Sequence, residues 1–204
     1  MIKNKGFTLI EIAIVLAIAG ILLSVVLLKS DFLIGGAKTT DTIVLIKDLS
    51  TAIRDFKTQY HYLPGDMPTA GEELSGISVA CNIAIVAGNK IGDGQINTAT
   101  EIACVPEHLV LAGLIKGSAS GIFTLNNSSS EPDVFVTAKR TTGTLPPAFP
   151  VTVINEIQLT NQWCDTAKTI DLKLDDGDFS TGRIRASVTT CTSDERVGIL
   201  DIAL

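Results

Sequence analysis

The stretch "KNKGFTLIEIAIVLAIAGILLSVVLLKS", residues 3–30, decides how this chain is organised. From Phe7 to Leu28 every residue is uncharged except Glu11. A helix rises about 1.5 Å per residue, so a helix of this length matches the roughly 30 Å hydrocarbon core of a bilayer. We therefore predict a membrane-inserted helix over residues 7–28.

The residues that flank this apolar run indicate its orientation. Lys3 and Lys5 precede it, and the positive-inside rule then leaves the short N-terminus in the cytoplasm and exports the remainder. A secretory signal would have an apolar region of about 7–15 residues that ends at a small-residue cleavage site. This run is longer and has no such site at its far end. A helix buried in the core of a soluble domain is a weaker alternative to a membrane-inserted helix.

Glu11 does not fit an ordinary membrane anchor. An acidic residue at the centre of a bilayer costs roughly 2.5–3.5 kcal/mol on insertion scales, because low polarity disfavours the charged form. The nearest basic residue further along the helix is Lys29, about five turns away. The carboxyl group therefore stays neutral or pairs with another chain, unless Glu11 is simply tolerated near the membrane surface.

The order Gly6, Phe7, then "TLIE" and an apolar helix resembles the N-terminus of type IV pilin and type II secretion pseudopilin precursors. The resemblance implies that residues 1–6 are a leader peptide. It implies cleavage between Gly6 and Phe7 by a prepilin peptidase on the cytoplasmic face, followed by N-methylation of Phe7. It also implies that Glu11 neutralises the terminal amine of an adjacent subunit, since paired charges relieve each other's burial penalty.

Helical periodicity resumes beyond the apolar run. Apolar residues recur at three- and four-residue intervals at Ile46, Leu49, Ile53 and Phe56, as on one face of an amphipathic helix. We predict that residues 29–60 form this helix and continue into a globular head, residues 61–204. Pro and Gly in the "YLPGDM" segment then end the helix.

The head is rich in Gly, Ser and Thr between short apolar runs, which favours strands and loops. Thr98 and Glu101 have the spacing of a capping box, which predicts a helix that ends near residues 115–117. We predict an α+β fold, in which the long N-terminal helix packs on an antiparallel β-sheet head, as in pilins. The predicted strands cover residues 122–125, 133–138, 151–159, 169–174 and 184–189.

Four head segments extend the resemblance to pilin-like proteins over most of the chain. They are "YLPGDM" at residues 62–67, "GDGQI" at 92–96, "HLVLAGLIKG" at 108–117 and "LDDGDFSTGRIRA" at 174–186.

An exported head lies in an oxidising compartment, so its four cysteines are expected to form disulfides. Three pairings are possible. Cys81–Cys104 and Cys164–Cys191 give the simplest sequence-local loops, and the second pair also resembles the C-terminal disulfide loop of many pilins. Zinc is the alternative, but the sequence has no Cys-x-x-Cys and its two histidines lack ligand-like spacing.

Two acidic, Gly-containing loops suit calcium, which prefers oxygen ligands. Asp93 lies in the first, and Asp175, Asp176 and Asp178 lie in the second. The resemblance adds weight, because major pseudopilins bind calcium in the head. Turn formation by Asp-Gly pairs is the simpler interpretation, and calcium is the only cofactor that the sequence suggests.

The formal net charge is −6, and the acidic excess lies beyond the N-terminal segment. An acidic head argues against nucleic acid as a partner. No nucleophile stands in a catalytic motif, so we do not expect an enzyme, although a membrane-anchored enzyme with an unrecognised pocket stays a third interpretation.

The predicted function is that of a structural subunit of a type IV pilus or type II secretion pseudopilus, with other pilin or pseudopilin subunits and the prepilin peptidase as partners. Before assembly the chain would cross the bacterial inner membrane once with a periplasmic head. It would then join a filament in the periplasm or at the cell surface. A membrane-tethered binding module that does not polymerise is the alternative.

Overall fold

The computed structural model describes residues 8–82, 91–116, 123–124, 135–140, 149 and 154–204. Within these ranges the side chains of residues 25–35, 37–38, 123–124 and 135–140 are not described. The chain divides into two compact units, Met1–Thr40 and Asp41–Leu204.

After the long first helix the described chain forms two helices, three strands, a further helix and two strands, in that order. The helices are α1 (Leu9–Tyr60), α2 (Ala70–Glu73), α3 (Ala99–Leu111) and α4 (Cys164–Leu174). The strands are β1 (Phe123–Thr124), β2 (Phe135–Arg140), β3 (Asn155–Trp163), β4 (Ile184–Ala186) and β5 (Arg196–Ala203).

The strands form one sheet in the order β1-β2-β3-β5-β4, and every neighbouring pair is antiparallel. At its centre Ile157 of β3 lies opposite Ile202 of β5, and Leu159 lies opposite Leu200. All four side chains are buried, so this face of the sheet belongs to the core. The predicted α+β fold with an antiparallel sheet is confirmed.

The part of α1 in the second unit contributes the predicted apolar face to the same core. Ile46, Leu49, Ile53 and Phe56 are each at most 3% exposed. The helix ends at Tyr60 because His61 adopts a left-handed φ of 64° and donates its N–H to the carbonyl of Lys57 at 2.9 Å. A residue in this conformation turns the chain away from the helix axis.

The predicted strand over residues 169–174 is wrong, because these residues lie in α4. Burial recurs at Cys164, Ala167 and Ile170, three residues apart, as on one face of a helix. Leu172, which alternation would bury together with Ile170, is 67% exposed. Six residues of "TIDLKL" were too few to separate the two periods, whereas the eleven residues of α4 distinguish them.

The predicted helix end near residues 115–117 is also wrong, since α3 ends at Leu111. Gly113 takes a φ of 71°, and its N–H donates to the carbonyl of Val110 at 2.9 Å. The N–H of Leu114 reaches the carbonyl of Leu109 at 3.0 Å. These two bonds form a Schellman motif, in which glycine at positive φ terminates the helix.

The remaining strand predictions overlap the observed strands only in part. Residues 122, 125, 133–134 and 151–153 of the predicted strands lie outside the described residues. The strand β5 was missed, and β4 ends at Ala186 rather than at residue 189.

Candidate functional site

The predicted processing site, Gly6 and Phe7, lies outside the described residues. Cleavage between them and methylation of Phe7 therefore stay predictions. The described chain begins one residue later at Thr8, and α1 begins at Leu9.

Glu11 and Thr8 cap the first turn of α1. The carboxylate Oε2 of Glu11 accepts hydrogen bonds from the N–H and the hydroxyl of Thr8, each at 2.8 Å. In return the N–H of Glu11 donates to Thr8 Oγ1 at 3.4 Å. This reciprocal pattern is a capping box, which the sequence "TLIE" already contains and which the sequence analysis did not consider.

Beyond this cap the helix exposes apolar side chains in all directions. The large apolar residues between positions 9 and 23 are 48–89% exposed. They are Leu9, Ile10, Ile12, Ile14, Val15, Leu16, Ile18, Ile21, Leu22 and Leu23.

Across the described part of the chain, no helix is both long enough and apolar enough to cross a membrane. The predicted span over residues 7–28 includes Phe7 and the side chains of residues 25–28, which lie outside the described residues.

The "YLPGDM", "GDGQI" and "HLVLAGLIKG" segments, far apart in sequence, meet in the second unit. The Nδ1 atom of His108 accepts a hydrogen bond from the N–H of Gly65 at 3.0 Å. The carboxylate of Asp66 accepts hydrogen bonds from the N–H groups of Gly92 and Gly94, the latter at 2.7 Å. Asp66 and His108 are both fully buried, so this junction holds the head together and offers no surface to a ligand.

His108 is uncharged in this arrangement, because its Nδ1 accepts a hydrogen bond. Its Nε2 lies 3.4 Å from the carbonyl oxygen of Cys81 and is the nitrogen left to carry the proton. Burial lowers the pKa of His108, while the contacts with Cys81 and the charge of Glu107 raise it less. The residue is therefore a structural histidine.

Both disulfides join elements of the second unit. They are Cys81–Cys104, which ties the loop after α2 to α3, and Cys164–Cys191, which ties the start of α4 to the segment before β5. These are the two pairs that the sequence analysis favoured. All four cysteines are used, so none is available as a zinc ligand.

The acidic residues proposed for calcium do not all come together. Asp93 accepts hydrogen bonds within its own loop from the N–H of Gln95 at 2.9 Å and the amide of Asn97 at 3.2 Å. Asp178 accepts one from the N–H of Ser180 at 2.9 Å. Each of these carboxylates closes a turn, as Asp side chains commonly do.

Asp175 and Asp176 instead lie beside Asp171, a residue that the sequence analysis missed. One carboxylate oxygen of each lies within 4.8 Å of the other two. The pKa of Asp171 is raised to about 6, mainly by burial and then by the charges of Asp175, Asp176 and Asp178, while a hydrogen bond from the Gly177 amide opposes the increase. Residues four positions apart lie on the same face of a helix, so the spacing of Asp171 and Asp175 could have indicated this contact. The sequence analysis instead assigned residues 169–174 to a strand.

A cavity of about 330 Å³ also opens in the second unit between α1 and the β4–β5 edge of the sheet. Its charged lining residues are Lys47, Arg54 and Arg183. Among the residues that the structure describes, no histidine, cysteine or carboxylate lines it.

A comparison with known families finds a match in the N-terminal segment. A family model described as the prokaryotic N-terminal methylation motif matches residues 1–27. No curated protein and no solved structure matches the chain. The chain thus carries the prokaryotic N-terminal methylation motif, the hallmark of type IV pilins and pseudopilins.

Proposed function

We propose that this protein is a structural subunit that assembles through its N-terminal helix into a type IV pilus or a type II secretion pseudopilus. The observation that carries the proposal is the methylation motif at residues 1–27. The motif points to a structural protein rather than an enzyme, and to processing by a prepilin peptidase.

The exposed apolar surface at residues 9–23 supports an assembling subunit. A helix that is apolar on every face is buried in lipid or among other protein segments, since water would otherwise contact the whole surface. The inner membrane would supply that environment to the precursor, whose head would be periplasmic. Neighbouring subunits would supply it in the filament, in the periplasm or at the cell surface.

The geometry of Glu11 leaves room for an intermolecular role. A carboxylate has about four acceptor sites, and the two hydrogen bonds from Thr8 both use Oε2. Cleavage after Gly6 would create an ammonium group at Phe7. We propose that Glu11 binds this group on an adjacent subunit, because the pair offsets two burial penalties that either charge would bear alone.

Two substitutions separate the charge of Glu11 from its capping role. Glu11→Gln keeps an oxygen that can cap Thr8 but removes the charge, since glutamine also serves in a capping box. Thr8→Val removes the capping hydroxyl but keeps the charge. We expect Glu11→Gln to abolish incorporation into filaments, and Thr8→Val to retain most of it.

The measurement is the amount of the chain in filaments sheared from cells that express its own assembly machinery. Leader cleavage, followed by mass spectrometry, serves as the control for membrane insertion and should be unchanged in both variants. Normal incorporation of Glu11→Gln would contradict the proposed pairing. A tethered module that does not polymerise would be absent from filaments even as wild type.

A further inference from the structure

The cavity between α1 and the β4–β5 edge of the sheet carries positive charge in a chain that is negative as a whole. Its charged lining residues are Lys47, Arg54 and Arg183, and no carboxylate lines it among the described residues. The formal net charge of the chain is −6. A cleft that presents one sign of charge between apolar walls concentrates the opposite charge, because the walls focus the electric field. The cavity therefore favours an anion.

One face of α1 supplies most of the polar lining. Lys47, Ser50, Thr51 and Arg54 line the cavity, and their spacing of i, i+3, i+4 and i+7 places them on one side of a helix. Within the described part of the chain, no hydrogen bond or ion pair joins these four side chains to another residue. Their ammonium, guanidinium and hydroxyl donors are consequently available to a ligand in the cavity.

Arg183 lines the cavity from the loop before β4 and is held there by Ala203 of β5. The carbonyl of Arg183 accepts the N–H of Ala203 at 2.8 Å. In the other direction, Nη2 of Arg183 donates to the carbonyl of Ala203 at 3.0 Å. A guanidinium has several further N–H donors, so this bond orients the group without exhausting it. An anion would meet a guanidinium that is already positioned, which lowers the entropic cost of binding.

The acidic loop beside the cavity does not cancel this charge. Asp175 directly follows the lining residue Leu174 but is not part of the lining. Its Oδ2 instead accepts hydrogen bonds from the backbone N–H groups of Arg183 and Ile184, the latter at 2.8 Å. No ion pair joins the guanidinium of Arg183 to a carboxylate of the described residues. The Asp175 carboxylate therefore positions the backbone at the edge of the cavity and leaves the charge of Arg183 uncompensated.

The remaining wall of the cavity is apolar and belongs to the core. Ile46, Ile184 and Ile202 are buried in the hydrophobic cluster, and Leu174 packs against it. An apolar group that covers this wall is removed from water, which is favourable in proportion to the buried area. The volume of about 330 Å³ also suits a compact small molecule, since small-molecule pockets start at about 300 Å³. The cavity thus suits an anion that carries a small apolar body.

We propose that this cavity binds a small organic phosphate, in which a phosphate group is attached to a compact apolar body. Such a group carries about −1.5 to −2 charge at pH 7 and three strong acceptor oxygens. It matches three cations better than a carboxylate of single charge does, and its oxygens can accept from guanidinium and ammonium groups. The hydroxyls of Ser50 and Thr51 supply further donors on the same side of the helix. The apolar body would lie against Ile184 and Ile202.

The test is isothermal titration calorimetry of the full-length chain in nonionic detergent and phosphate-free buffer, at two temperatures. The probe is phenyl phosphate, and we expect a dissociation constant below about 1 mM. Inorganic phosphate lacks the apolar body and benzoate lacks the phosphate, so each should bind at least about tenfold more weakly. Added KCl should weaken the binding of phenyl phosphate, because salt screens exposed charges.

Four variants connect this binding to the cavity. Lys47→Gln and Arg54→Gln each remove one exposed charge from the lining and should weaken the binding of phenyl phosphate about tenfold. Arg183→Lys keeps the charge but loses the planar fork of donors, and it should also weaken binding. Lys57→Gln removes an exposed charge from the same helix outside the cavity, and its affinity should stay within about twofold of wild type. Fluorescence of Trp163, the one tryptophan of the sequence, checks that each variant is folded.

The proposal is overturned if phenyl phosphate at about 10 mM produces no heat beyond dilution at either temperature. Equal weakening by Lys57→Gln and Arg54→Gln would overturn the placement of the ligand in the cavity. Equal affinity for inorganic phosphate or for benzoate would overturn the assignment to an organic phosphate. The measurement needs no filament, so its failure is distinguishable from failure of the proposed assembly function.

Discussion

Gly65→Ala should destabilise the head by about 2–5 kcal/mol, more than a comparable substitution elsewhere. Gly65 has a φ of 86°, and an L-residue in the left-handed region costs roughly 1–2 kcal/mol. An added Cβ would also overlap the carbonyl oxygen of Glu101 and lie 3.1 Å from Cγ2 of Val105. Both neighbours are buried in α3, and overpacking a buried site typically costs a further 1–3 kcal/mol or so.

Gly94→Ala is the matched control for this steric argument. Gly94 has a similar φ of 80°, but a Cβ there would meet nothing within 4 Å. It should therefore show only the backbone contribution of roughly 1–2 kcal/mol. The difference between the two variants isolates the contact between the Gly65 turn and α3.

The assay is urea denaturation of the full-length chain in detergent, followed by Trp163 fluorescence with the disulfides intact. Free energies of unfolding from wild type and both variants are compared at one pH and one ionic strength. Equal destabilisation by Gly65→Ala and Gly94→Ala would refute the reasoning, because the packing of the turn on α3 would then contribute nothing.

Two further predictions concern the same part of the head. Burial lowers the pKa of His108 in the folded state. The unfolded state therefore binds a proton at this histidine more readily than the folded state does. The stability contributed by neutral His108 is present above the unfolded-state pKa of about 6.5 and is lost as the pH falls toward the folded-state pKa. The difference in unfolding free energy between wild type and His108→Gln should therefore shrink from pH 7.5 to pH 5.5. A constant difference would contradict the assignment of His108 as a neutral, buried histidine. Thr98→Ala should lower the unfolding free energy by about 0.5–2 kcal/mol, because the Thr98 hydroxyl accepts a hydrogen bond from the N–H of Glu101 at 3.1 Å. Thr98→Ser keeps this hydroxyl, so its unfolding free energy should stay within about a few tenths of a kcal/mol of the wild-type value.

Local patterns predicted the parts of the fold that depend on neighbouring residues. The inward face of α1 follows from a period of three to four residues. The end of α1 was predicted close to its observed place, although His61 terminates the helix before the Pro and Gly of "YLPGDM" are reached. The capping box at Thr98 and Glu101 follows from residue types at fixed spacing. In each case the physical cause lies within a few residues of the feature, so the sequence alone contains it.

Features that depend on distant residues were not predictable in this way. The hydrogen bond between Gly65 and His108 joins residues 43 positions apart, and nothing local to either segment indicates the other. The strand prediction for α4 failed because the six residues of "TIDLKL" fit a strand period, and because the buried face of the helix includes a polar residue, Asp171. Since that face was not recognised, the approach of Asp171 to Asp175 was not recognised either.

The division of the chain into two compact units makes the proposed roles separable by experiment. Glu11 lies in Met1–Thr40, whereas the turn at Gly65 and the proposed phosphate site lie in Asp41–Leu204. A Glu11→Gln chain that fails to enter filaments should still unfold at the wild-type urea concentration when Trp163 is monitored. If its head were destabilised as well, the assembly defect would report loss of folded subunit, and the charge of Glu11 could no longer be assigned to contact between subunits.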